Sequence, residues 1–427
     1  MKNEAILSSG VARTLAKSTR LCARCLRREG VPSLLLRRSA VNDSECEVCA
    51  GLLANVSHVA GIITEKLKEY QFESFVIGTS LPQRILDKED EIRARFKIRG
   101  REGIKTEITR SFSSEVSKNT KKRLSYLRPD LTLLVSLPDG EISITPRSIW
   151  LFAKYHKTIR GIAQRSSLCQ ICNGIGCAAC EYRGASLLSV QYLVNNFLSE
   201  KYRAEGCSFI WVGSEDERSL VDGNGRPFYV EVLKPKRRTP IRRLKTAKLN
   251  GVRLSSIEVL PSRPTLIPQF TMRCFAYLVQ PPQREGDIPS KVMKDEIESK
   301  FKDLSVRVRL SRRFRVVTKR IQSILVQESK EDHRVVLDIN CDGGIPIKKF
   351  VSGEDESVSP NLAPFIGGLE LDPQMPFDIA NVTLADSKKR LISRSKLKHY
   401  RDADRKEPPE RETSQADNLE AVAENTI

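Results

Sequence analysis

Four pairs of cysteines with the spacing Cys-x2-Cys constrain the fold of this chain more than any other feature. The pairs are Cys22 with Cys25, Cys46 with Cys49, Cys169 with Cys172, and Cys177 with Cys180. The chain has 427 residues and begins without a long apolar signal segment. In such a chain these pairs are more often metal ligands than disulfides. We therefore expect compact units that close around metal ions.

The first two pairs are separated by about twenty residues, an ordinary loop length for a zinc ribbon or finger. Each pair supplies two thiolates, so Cys22, Cys25, Cys46 and Cys49 complete one tetrahedral zinc site. A thioredoxin-like redox site is the alternative, but it would need only one pair within a βαβ unit. The spacing favours structural zinc.

The last two pairs, Cys169 with Cys172 and Cys177 with Cys180, form a short knuckle in which Gly174 and Gly176 ease a tight backbone. Zinc is the favoured metal, and an iron–sulfur centre remains the alternative. The other cysteines, which are Cys207, Cys274 and Cys341, are expected to be small core residues.

Helical and strand-like patterns of apolar residues alternate along the chain, which predicts an α+β fold. Helices are predicted over residues 51–70, 82–96, 104–124 and 187–202. Strands are predicted over 72–78, 129–137, 141–144, 209–212, 229–233, 270–280, 306–317, 321–326, 335–339 and 345–351. Residues 1–20 and residues from about 401 onward are polar and charged, so both ends are expected to be loosely ordered.

An acidic motif, Gly213-Ser214-Glu215-Asp216, follows a short apolar strand and precedes the glycine-rich run of residues 222–228. We interpret the run as a turn beside a hairpin, with a carboxylate presented on the preceding loop. Taken alone, such a motif is usually a solvated acidic turn.

The balance of charge points to a polyanionic partner. Lysine and arginine total 72 against 53 acids, a formal net charge of +19. The densest basic segment predicts phosphate contacts and contains Lys234, Lys236, Arg237, Arg238, Arg242, Arg243, Lys245 and Lys248. A membrane surface is the rival partner, but no apolar run approaches the ~18 residues that span a bilayer. A soluble, cytoplasmic, nucleic-acid-binding protein is expected.

Basic and aromatic residues are interleaved between Arg147 and Arg160, a mixture suited to RNA. For this stretch alone, a half-buried element with a solvated polar face is the favoured interpretation. His156 within it is expected to be a surface residue rather than a catalytic one.

Together the motifs resemble those of the archaeal and eukaryotic tRNA pseudouridine synthases that carry a zinc-bearing THUMP-like N-terminal domain. The resemblance covers most of residues 20–385. It is carried by the paired cysteines, Phe75-Val76-Ile77-Gly78, Arg128-Pro129-Asp130, Pro146-Arg147, Tyr155 with Arg160-Gly161, Gly213-Ser214-Glu215-Asp216, Gly223-Asn224-Gly225-Arg226-Pro227-Phe228, and Gly343-Gly344 followed by Lys348.

The resemblance implies a fold and a division into domains. It implies a flexible N-terminus (1–20), a zinc-binding, THUMP-like RNA-binding domain (21–165), a four-cysteine knuckle or linker (166–183), a pseudouridine synthase catalytic domain (184–400) and a disordered tail (401–427). The catalytic domain is expected to have a central mixed, mainly antiparallel sheet flanked by helices.

The resemblance also implies an activity, the isomerisation of uridine to pseudouridine at positions 54 and 55, or one of them, in the T-arm of tRNA. It implies a monomer that needs structural zinc at one or two sites and no cofactor for catalysis. Asp216 would be the catalytic carboxylate, and Lys348 would pair with it and keep it ionised. Arg226 would brace the same loop or hold a phosphate, and Lys236, Arg237 and Arg238 would bind the RNA backbone.

Three places depart from the family pattern. Pro346 replaces an expected aromatic residue, Glu356-Ser357-Val358 replaces a Gly-Arg-Thr-like turn, and the third departure is at Cys274. Cys274 stands where members carry a tyrosine that stacks on the target base, so Phe275 or Tyr277 is expected to take that part. This departure motivates the alternative function, a catalytically inactive zinc-containing tRNA-binding protein or RNA chaperone. A carboxylate glycosidase is disfavoured because it needs two acids at a set separation and this chain is strongly basic.

Overall fold

Two β-sheets, each with its own hydrophobic core, form the part of the chain that the computed structural model describes. The described residues are 7–182, 184, 186–239, 246–280, 293–310, 315–329 and 334–385. The predicted disordered tail and the basic residues Arg242, Arg243 and Lys245 lie outside these residues. Both sheets belong to one compact unit that ends at Thr383.

The smaller sheet follows the first cysteine unit. The helices of this region are α1 (Ser9–Ser18), α2 (Ala23–Arg28), α3 (Ser33–Ser39), α4 (Val56–Leu67), α5 (Gln83–Phe96) and α6 (Ile104–Thr120). The strands are β1 (Ser74–Ser80), β2 (Arg123–Leu124), β3 (Leu131–Ser136) and β4 (Glu141–Pro146), in the order β2-β1-β3-β4. The β1 strand is parallel to β2 and β3, whereas β3 and β4 are antiparallel. Alternate residues of β3 are buried, so one face of the sheet packs on helices.

The larger sheet has twelve strands among the described residues. They are β5 (Ile149–Lys157), β6 (Gly206–Trp211), β7 (Val221–Leu233), β8 (Thr246–Leu249), β9 (Val252–Leu260), β10 (Phe270–Val279), β11 (Leu304–Leu310), β12 (Arg315–Ser329), β13 (Arg334–Asp342), β14 (Val358–Ser359), β15 (Glu370–Leu371) and β16 (Phe377–Leu384). The order is β14-β11-β12-β13-β10-β16-β7-β5-β9-β8, with β15 beside β10 and β6 beside β7. The helices of this region are α7 (Val190–Tyr202), α8 (Met293–Lys300) and α9 (Ile347–Ser352), and short 3-10 helices lie at Asp43–Glu45, Ala178–Cys180, Glu354–Glu356 and Ala363–Phe365.

The predicted α+β class with mixed sheets flanked by helices is confirmed. In the large sheet β7 and β16 are parallel at the bridge between Val221 and Ile379, while neighbours such as β5, β9, β10 and β13 pair antiparallel. The predicted domain boundaries stay a prediction. Strand β5 belongs to the larger sheet although it precedes residue 165, where the N-terminal domain was expected to end.

Several segments differ from the sequence predictions. Residues 1–20 were expected to be loosely ordered. Within them Ser9–Ser18 is a helix, which buries Ala12, Leu15 and Ala16 on one face. The predicted strand over residues 345–351 is wrong, because Ile347–Ser352 is a helix. Pro346 precedes this helix, and Gly353 ends it in the left-handed region with a φ of 72°.

The glycine-rich run predicted as a turn lies inside strand β7. Tyr155 of β5 pairs with Arg226, whereas Lys157 pairs with Val221, so residues 222–225 oppose a single residue of β5. Gly223 and Gly225 have φ values of 55° and 71°, which allow this wide bulge. The run is therefore a bulge within a ladder and not the end of a hairpin.

The single residue opposite the bulge is His156, and the prediction that it is a surface residue is wrong. Its side chain is buried, and Nε2 lies 3.0 Å from the hydroxyl of Ser255. Burial and the charge of Arg253 lower the pKa of His156. The histidine fills the space that the bulge leaves beside Gly225.

No helix among the described residues combines the length and the apolar character that a bilayer crossing requires.

Candidate functional site

The loop of residues 212–220 occupies a fork in the large sheet. It leaves β6 after Trp211 and enters β7 at Val221. The later part of β7 pairs with β6, from Phe228 with Trp211 to Leu233 with Gly206, but Val221 pairs with Ile379 of β16. The loop therefore lies where β7 changes partner, and Asp216 is on this loop.

Asp216 forms an ion pair with Lys348 of helix α9. The Nζ atom of Lys348 lies 2.5 Å from Oδ2 of Asp216, and Oδ1 accepts a hydrogen bond from the Arg218 N–H at 3.0 Å. The Asp216 side chain is 23% exposed and that of Lys348 is 47% exposed. The carboxylate is thus fixed from two sides and still reachable from solvent.

The surroundings of Asp216 favour its ionised form. Burial acts to raise its pKa, but the Lys348 ammonium, the Arg218 N–H and the charge of Lys157 outweigh burial. The pKa of Asp216 therefore lies below the ordinary value of an aspartate. At neutral pH this side chain is a carboxylate, able to act as a nucleophile or a base.

The neighbouring acid, Glu215, is fully buried. Its Oε2 atom accepts hydrogen bonds from the Tyr155 hydroxyl at 2.5 Å and from the Gln164 amide at 3.2 Å. Burial raises the pKa of Tyr155 well above its usual value, and the charge of Glu215 adds to this. Glu215 holds the loop against β5 and has no access to a substrate.

Arg226 lies beneath the same loop. Its Nε atom donates to the carbonyl of Val212 at 3.1 Å and lies 3.5 Å from Oε2 of Glu215. Only 1% of the residue is exposed, so in this geometry the guanidinium supports the loop and does not face a phosphate at the surface.

Lys157, the last residue of β5, also supports the loop. Its buried ammonium donates to the carbonyls of Asp216 and Glu217, both at 3.0 Å. Burial lowers the pKa of Lys157, and the nearby acids oppose that effect. Lys157 therefore fixes the backbone at Asp216 and at the residue that follows it.

The ring of Phe270, at the start of β10, packs against two glycine-containing loops, one at Gly213 and the other at Gly343. Its ring lies where a Cβ on Gly343 would have to be, and its Cζ atom would lie 2.7 Å from a Cβ on Gly213. The Gly343 N–H also donates to the Phe270 carbonyl at 2.7 Å. The glycines are required because both motif loops contact the same aromatic ring.

Asp378 of β16 connects the loop to β10. Its carboxylate accepts two bonds from Arg160 at 2.5 and 2.7 Å, one from the Leu220 N–H at 2.7 Å and one from the Tyr277 hydroxyl at 3.1 Å. Arg160 also donates to the carbonyl of Arg218 at 2.6 Å. Tyr277 is thereby linked, through the side chains of Asp378 and Arg160, to the backbone two residues after Asp216.

The candidates for the base-stacking residue lie on one face of β10. Cys274 is fully buried and faces the core, whereas Phe275 and Tyr277 are partly exposed on the opposite face. Burial raises the pKa of Tyr277 to about 12, and Asp378 contributes to the shift. The guanidinium of Arg273 lies over the Phe275 ring, 5.3 Å from the ring centre. The structure thus links Tyr277 to the loop of Asp216. Phe275 lies two residues before Tyr277 on the same strand.

The basic segment contacts the N-terminal region more than sequence alone suggested. Lys236 pairs with Glu69 at 2.5 Å, and Arg238 lies 3.3 Å from Asp130. The side-chain amide oxygen of Gln71 accepts a hydrogen bond from the main-chain N–H of Arg238 at 2.8 Å. Arg237 is exposed. Two of the three predicted phosphate-binding residues therefore also join the small sheet to the large one.

The first cysteine cluster has the geometry of a tetrahedral metal site. The four sulfurs lie within 4.8 Å of one another, and Cys22 Sγ is 3.7 Å from Cys49 Sγ. Four bonds of about 2.3 Å to zinc would separate the sulfurs by about 3.8 Å. All four residues are buried, so Cys22, Cys25, Cys46 and Cys49 could hold a metal ion.

The second cluster fits the same geometry. Its sulfurs also lie within 4.8 Å of one another, with Cys172 to Cys180 at 3.7 Å and Cys169 to Cys177 at 4.0 Å. The Gly176 and Gly184 N–H groups donate to two of these sulfurs at 3.2 and 3.3 Å. Both clusters could therefore hold a metal ion.

Four supporting residues could not be identified from sequence. Glu215 was grouped with Asp216 in one acidic motif, and nothing in the motif distinguishes the buried acid from the reachable one. Asp378 and Phe270 belong to strands far along the chain, where an aspartate or a phenylalanine is an ordinary residue. Lys157 lies in a basic stretch that favours a solvated face.

Two family models match the chain. The archaeal Pus10 THUMP domain matches residues 59–136, which contain the small sheet up to β3. The Pus10 C-terminal model matches residues 150–259, which contain the loop of Asp216.

Several archaeal proteins named tRNA pseudouridine synthase Pus10 are similar over most of their length. That of Nitrosopumilus maritimus is 29% identical over 83% of this chain and 92% of its own. That of Cenarchaeum symbiosum is 30% identical over 76% of this chain and 78% of its own. That of Methanopyrus kandleri is 29% identical over 75% and 77% of the two chains.

Proposed function

Because the chain belongs to the Pus10 family of tRNA pseudouridine synthases, we propose that it isomerises uridine to pseudouridine in the T-arm of tRNA, at position 54, position 55 or both. Members of this family are isomerases. The observation that carries the proposal is the pair of Asp216 and Lys348, an ionised carboxylate reachable from solvent in a loop otherwise fixed by buried groups.

The reaction needs a carboxylate that acts on the target nucleotide. In the proposed sequence Asp216 acts on the nucleotide, and the bond between the ribose and N1 of uracil breaks. The detached base turns, and its C5 atom forms the new bond to the ribose. The proton on C5 is then lost, and N1 ends protonated, so no atom is gained or lost overall. An aspartate suits this sequence because a carboxylate can serve as nucleophile or base.

Lys348 is proposed to keep Asp216 ionised and oriented. The pair is close, and its members come from a loop and a helix that are distant in the chain. The lowered pKa of Asp216 is consistent with this role. Without the charge of Lys348, less positive charge would oppose the effect of burial on Asp216, and the pKa of the carboxylate would rise.

The target uridine must leave its stack to reach a carboxylate in the loop. We propose that Tyr277 or Phe275 stacks on the base, since both lie on the partly exposed face of β10. Arg237, Lys236 and Arg238 are proposed to contact the RNA backbone, and Arg226 to brace the loop.

The two cysteine clusters are proposed to hold structural zinc. Four thiolates per ion give a closed tetrahedral site, as in zinc sites that support folding. The reaction as proposed uses side chains of the chain itself and no catalytic cofactor. We further propose that the protein acts in the cytoplasm as a monomer.

The test compares the wild type with two aspartate variants on a transcript of a full tRNA. Asp216→Asn is expected to abolish pseudouridine formation and to leave the Kd for tRNA nearly unchanged, since the amide keeps the shape of the side chain. Asp222→Asn, which removes an exposed acid from the bulge of β7, is the matched control and should keep activity. Mapping the products by position shows which T-arm uridine reacts.

An alternative function remains to be separated by the same experiment. Wild-type protein that binds tRNA and forms no pseudouridine under any condition would favour the catalytically inactive tRNA-binding protein or RNA chaperone. The fixed, ionised Asp216 favours the enzyme.

A further inference from the structure

A concave site lies at the N-terminal end of β5, which is remote from the loop of Asp216. It has a volume of about 460 Å³ and is lined by Arg128, Arg147, Trp150, Arg238, Arg263 and neighbouring residues of β7 and β9. A cavity of this size is within the range of about 300–1,000 Å³ that small ligands occupy. The walls come from both sheets, since Arg128 and Arg147 flank β3 and β4.

The lining combines one aromatic ring with a concentration of positive charge. Four arginines face the cavity against one acid, Glu231. The guanidinium of Arg263 lies 5.8 Å from the centre of the Trp150 ring. Trp150 is partly exposed, and Arg263 is exposed. A flat ring beside guanidinium groups is the arrangement that stacks a base and holds its phosphate.

Internal contacts hold three of these arginines in place before any ligand arrives. Arg147 donates to Oδ1 of Asp130 at 2.7 Å, and Arg238 donates to the carbonyl of Arg147 at 2.7 Å. Arg128 donates to the carbonyl of Pro261 at the edge of the cavity. The carboxylate of Asp130 thus positions Arg147 and also lies 3.3 Å from Arg238. A single acid does not neutralise the four arginines that line the cavity.

We propose that this cavity, the Trp150 pocket, binds one unstacked nucleotide of the tRNA substrate, with the base on Trp150 and the phosphate on the arginines. The proposal rests on the proposed function, because the ligand is part of the same tRNA. The Trp150 pocket is a binding subsite and takes no part in bond making.

The separation between the Trp150 pocket and the reactive loop follows from β5 itself. Trp150 and Lys157 lie on this one strand, and Lys157 contacts the backbone of Asp216. Seven residues at about 3.3 Å each separate them by about 23 Å. The nucleotide in the Trp150 pocket is therefore a different one from the target uridine.

The main test measures steady-state kinetics and tRNA binding with full-length variants. Trp150→Leu removes the ring and is expected to raise the KM and Kd for a tRNA transcript about tenfold, with kcat within about twofold of the wild type. Trp150→Phe keeps an aromatic face and should bind tRNA much as the wild type does. Arg263→Ala removes an exposed residue and should also weaken binding. Arg84→Ala, a charge loss on the exposed face of α5, is the control.

Fluorescence gives a second readout that does not require turnover. Trp150 and Trp211 are the two tryptophans of the chain, so the Trp211→Phe variant reports on Trp150 alone. Uridine 5′-monophosphate and adenosine 5′-monophosphate are then titrated separately. Quenching that saturates, and that weakens when Arg263→Ala is added, is expected if a base stacks on Trp150.

The outcomes separate this proposal from the proposed function. Trp150→Leu and Arg263→Ala with wild-type KM and Kd for tRNA would overturn the proposal, even if free monophosphates quench Trp150. Equal weakening by Arg84→Ala would also overturn it, because net charge alone would then explain the effect. If the wild type forms no pseudouridine, the proposed function fails, and the Kd values still decide the pocket. Should Trp150→Leu not fold, the surface variant Arg263→Ala decides.

Discussion

The Nζ atom of Lys348 lies 2.5 Å from Oδ2 of Asp216, although these residues belong to a loop after β6 and a helix after β13. The next lysine, Lys349, makes an equally short pair with Asp355 at 2.5 Å. Adjacent residues of one short helix thus make two similar ion pairs, of which only one involves the reactive loop. This arrangement supplies an internal control for the role of charge at Asp216.

Lys348→Gln is expected to raise the pKa of Asp216, because the ammonium that opposes burial is removed. In the proposed reaction the ionised carboxylate is the active form, so the acid limb of the kcat profile should move to higher pH. The pH dependence of stability has the same sign. The pKa of Asp216 is lower in the folded chain than in the unfolded chain, so the ionised side chain stabilises the fold at a pH above its unfolded-state pKa. This stabilisation is lost as the pH falls through the folded-state pKa. Lys349→Gln should leave the profile in place, and an equal shift in both variants would contradict the assignment.

Arg160→Gln is expected to lower kcat roughly ten- to a hundredfold while the Kd for tRNA stays near the wild-type value. The variant removes charged hydrogen bonds to Asp378 and to the Arg218 carbonyl, each worth about 1.5–3 kcal/mol. Arg110→Gln removes a similar two-bond pair with Glu102 from helix α6 and should not change kcat. A parallel loss in kcat and in tRNA binding would indicate general unfolding instead.

Gly343→Ala is expected to reduce activity and to destabilise the fold by about 1–3 kcal/mol, because the new methyl group overlaps the ring of Phe270. Phe270→Leu should partly restore stability to the alanine variant by making room. Gly61→Ala in helix α4 has no atom within 4 Å of the added carbon and should be neutral or stabilising. Chemical denaturation and single-turnover assays measure both effects, and full activity of Gly343→Ala would refute the packing argument.

Metal analysis of purified protein is expected to find two zinc ions per chain, one for each cluster. Cys22→Ser should lose one ion and strongly destabilise the N-terminal region, since all four ligands there are buried in its core. Cys169→Ser should lose one ion with a smaller effect on unfolding, because Cys172 and Cys177 are partly exposed. Cys207→Ser, outside both clusters, should retain both ions, and fewer than one ion in the wild type would refute the zinc assignment.

Features fixed by short sequence intervals were the easiest to predict. The spacing of the cysteines brings each set of four sulfurs together, as the geometry of both clusters bears out. Hydrophobic periodicity located α4, α5 and α7, because a helix buries residues three and four apart. The reactive pair was assigned only through the resemblance to a family, since nothing local connects Asp216 with Lys348.

Features that depend on distant partners could not be predicted. Gly223 and Gly225 suit a turn as well as a bulge, and only the pairing of β7 with β5 distinguishes them. Burial of Glu215 and exposure of Asp216 likewise depend on Tyr155 of β5, Gln164 of the segment after β5, and Arg226 of β7. The helix at Ile347–Ser352 was mistaken for a strand because a short apolar run carries little periodicity.

The loop of residues 212–220, which leads into β7, has two structural roles. A single ladder position joins Val221 to Ile379, and further bonds from Leu220 and Arg160 to Asp378 reinforce that junction. The segment that presents Asp216 is thus also a joint between the two halves of the sheet. In the proposed function the same residues serve the chemistry and the stability of the fold, so we expect substitutions in this loop to affect both. We expect that changes in which uridine is chosen arise in the surfaces that hold the RNA and leave the loop itself unaltered.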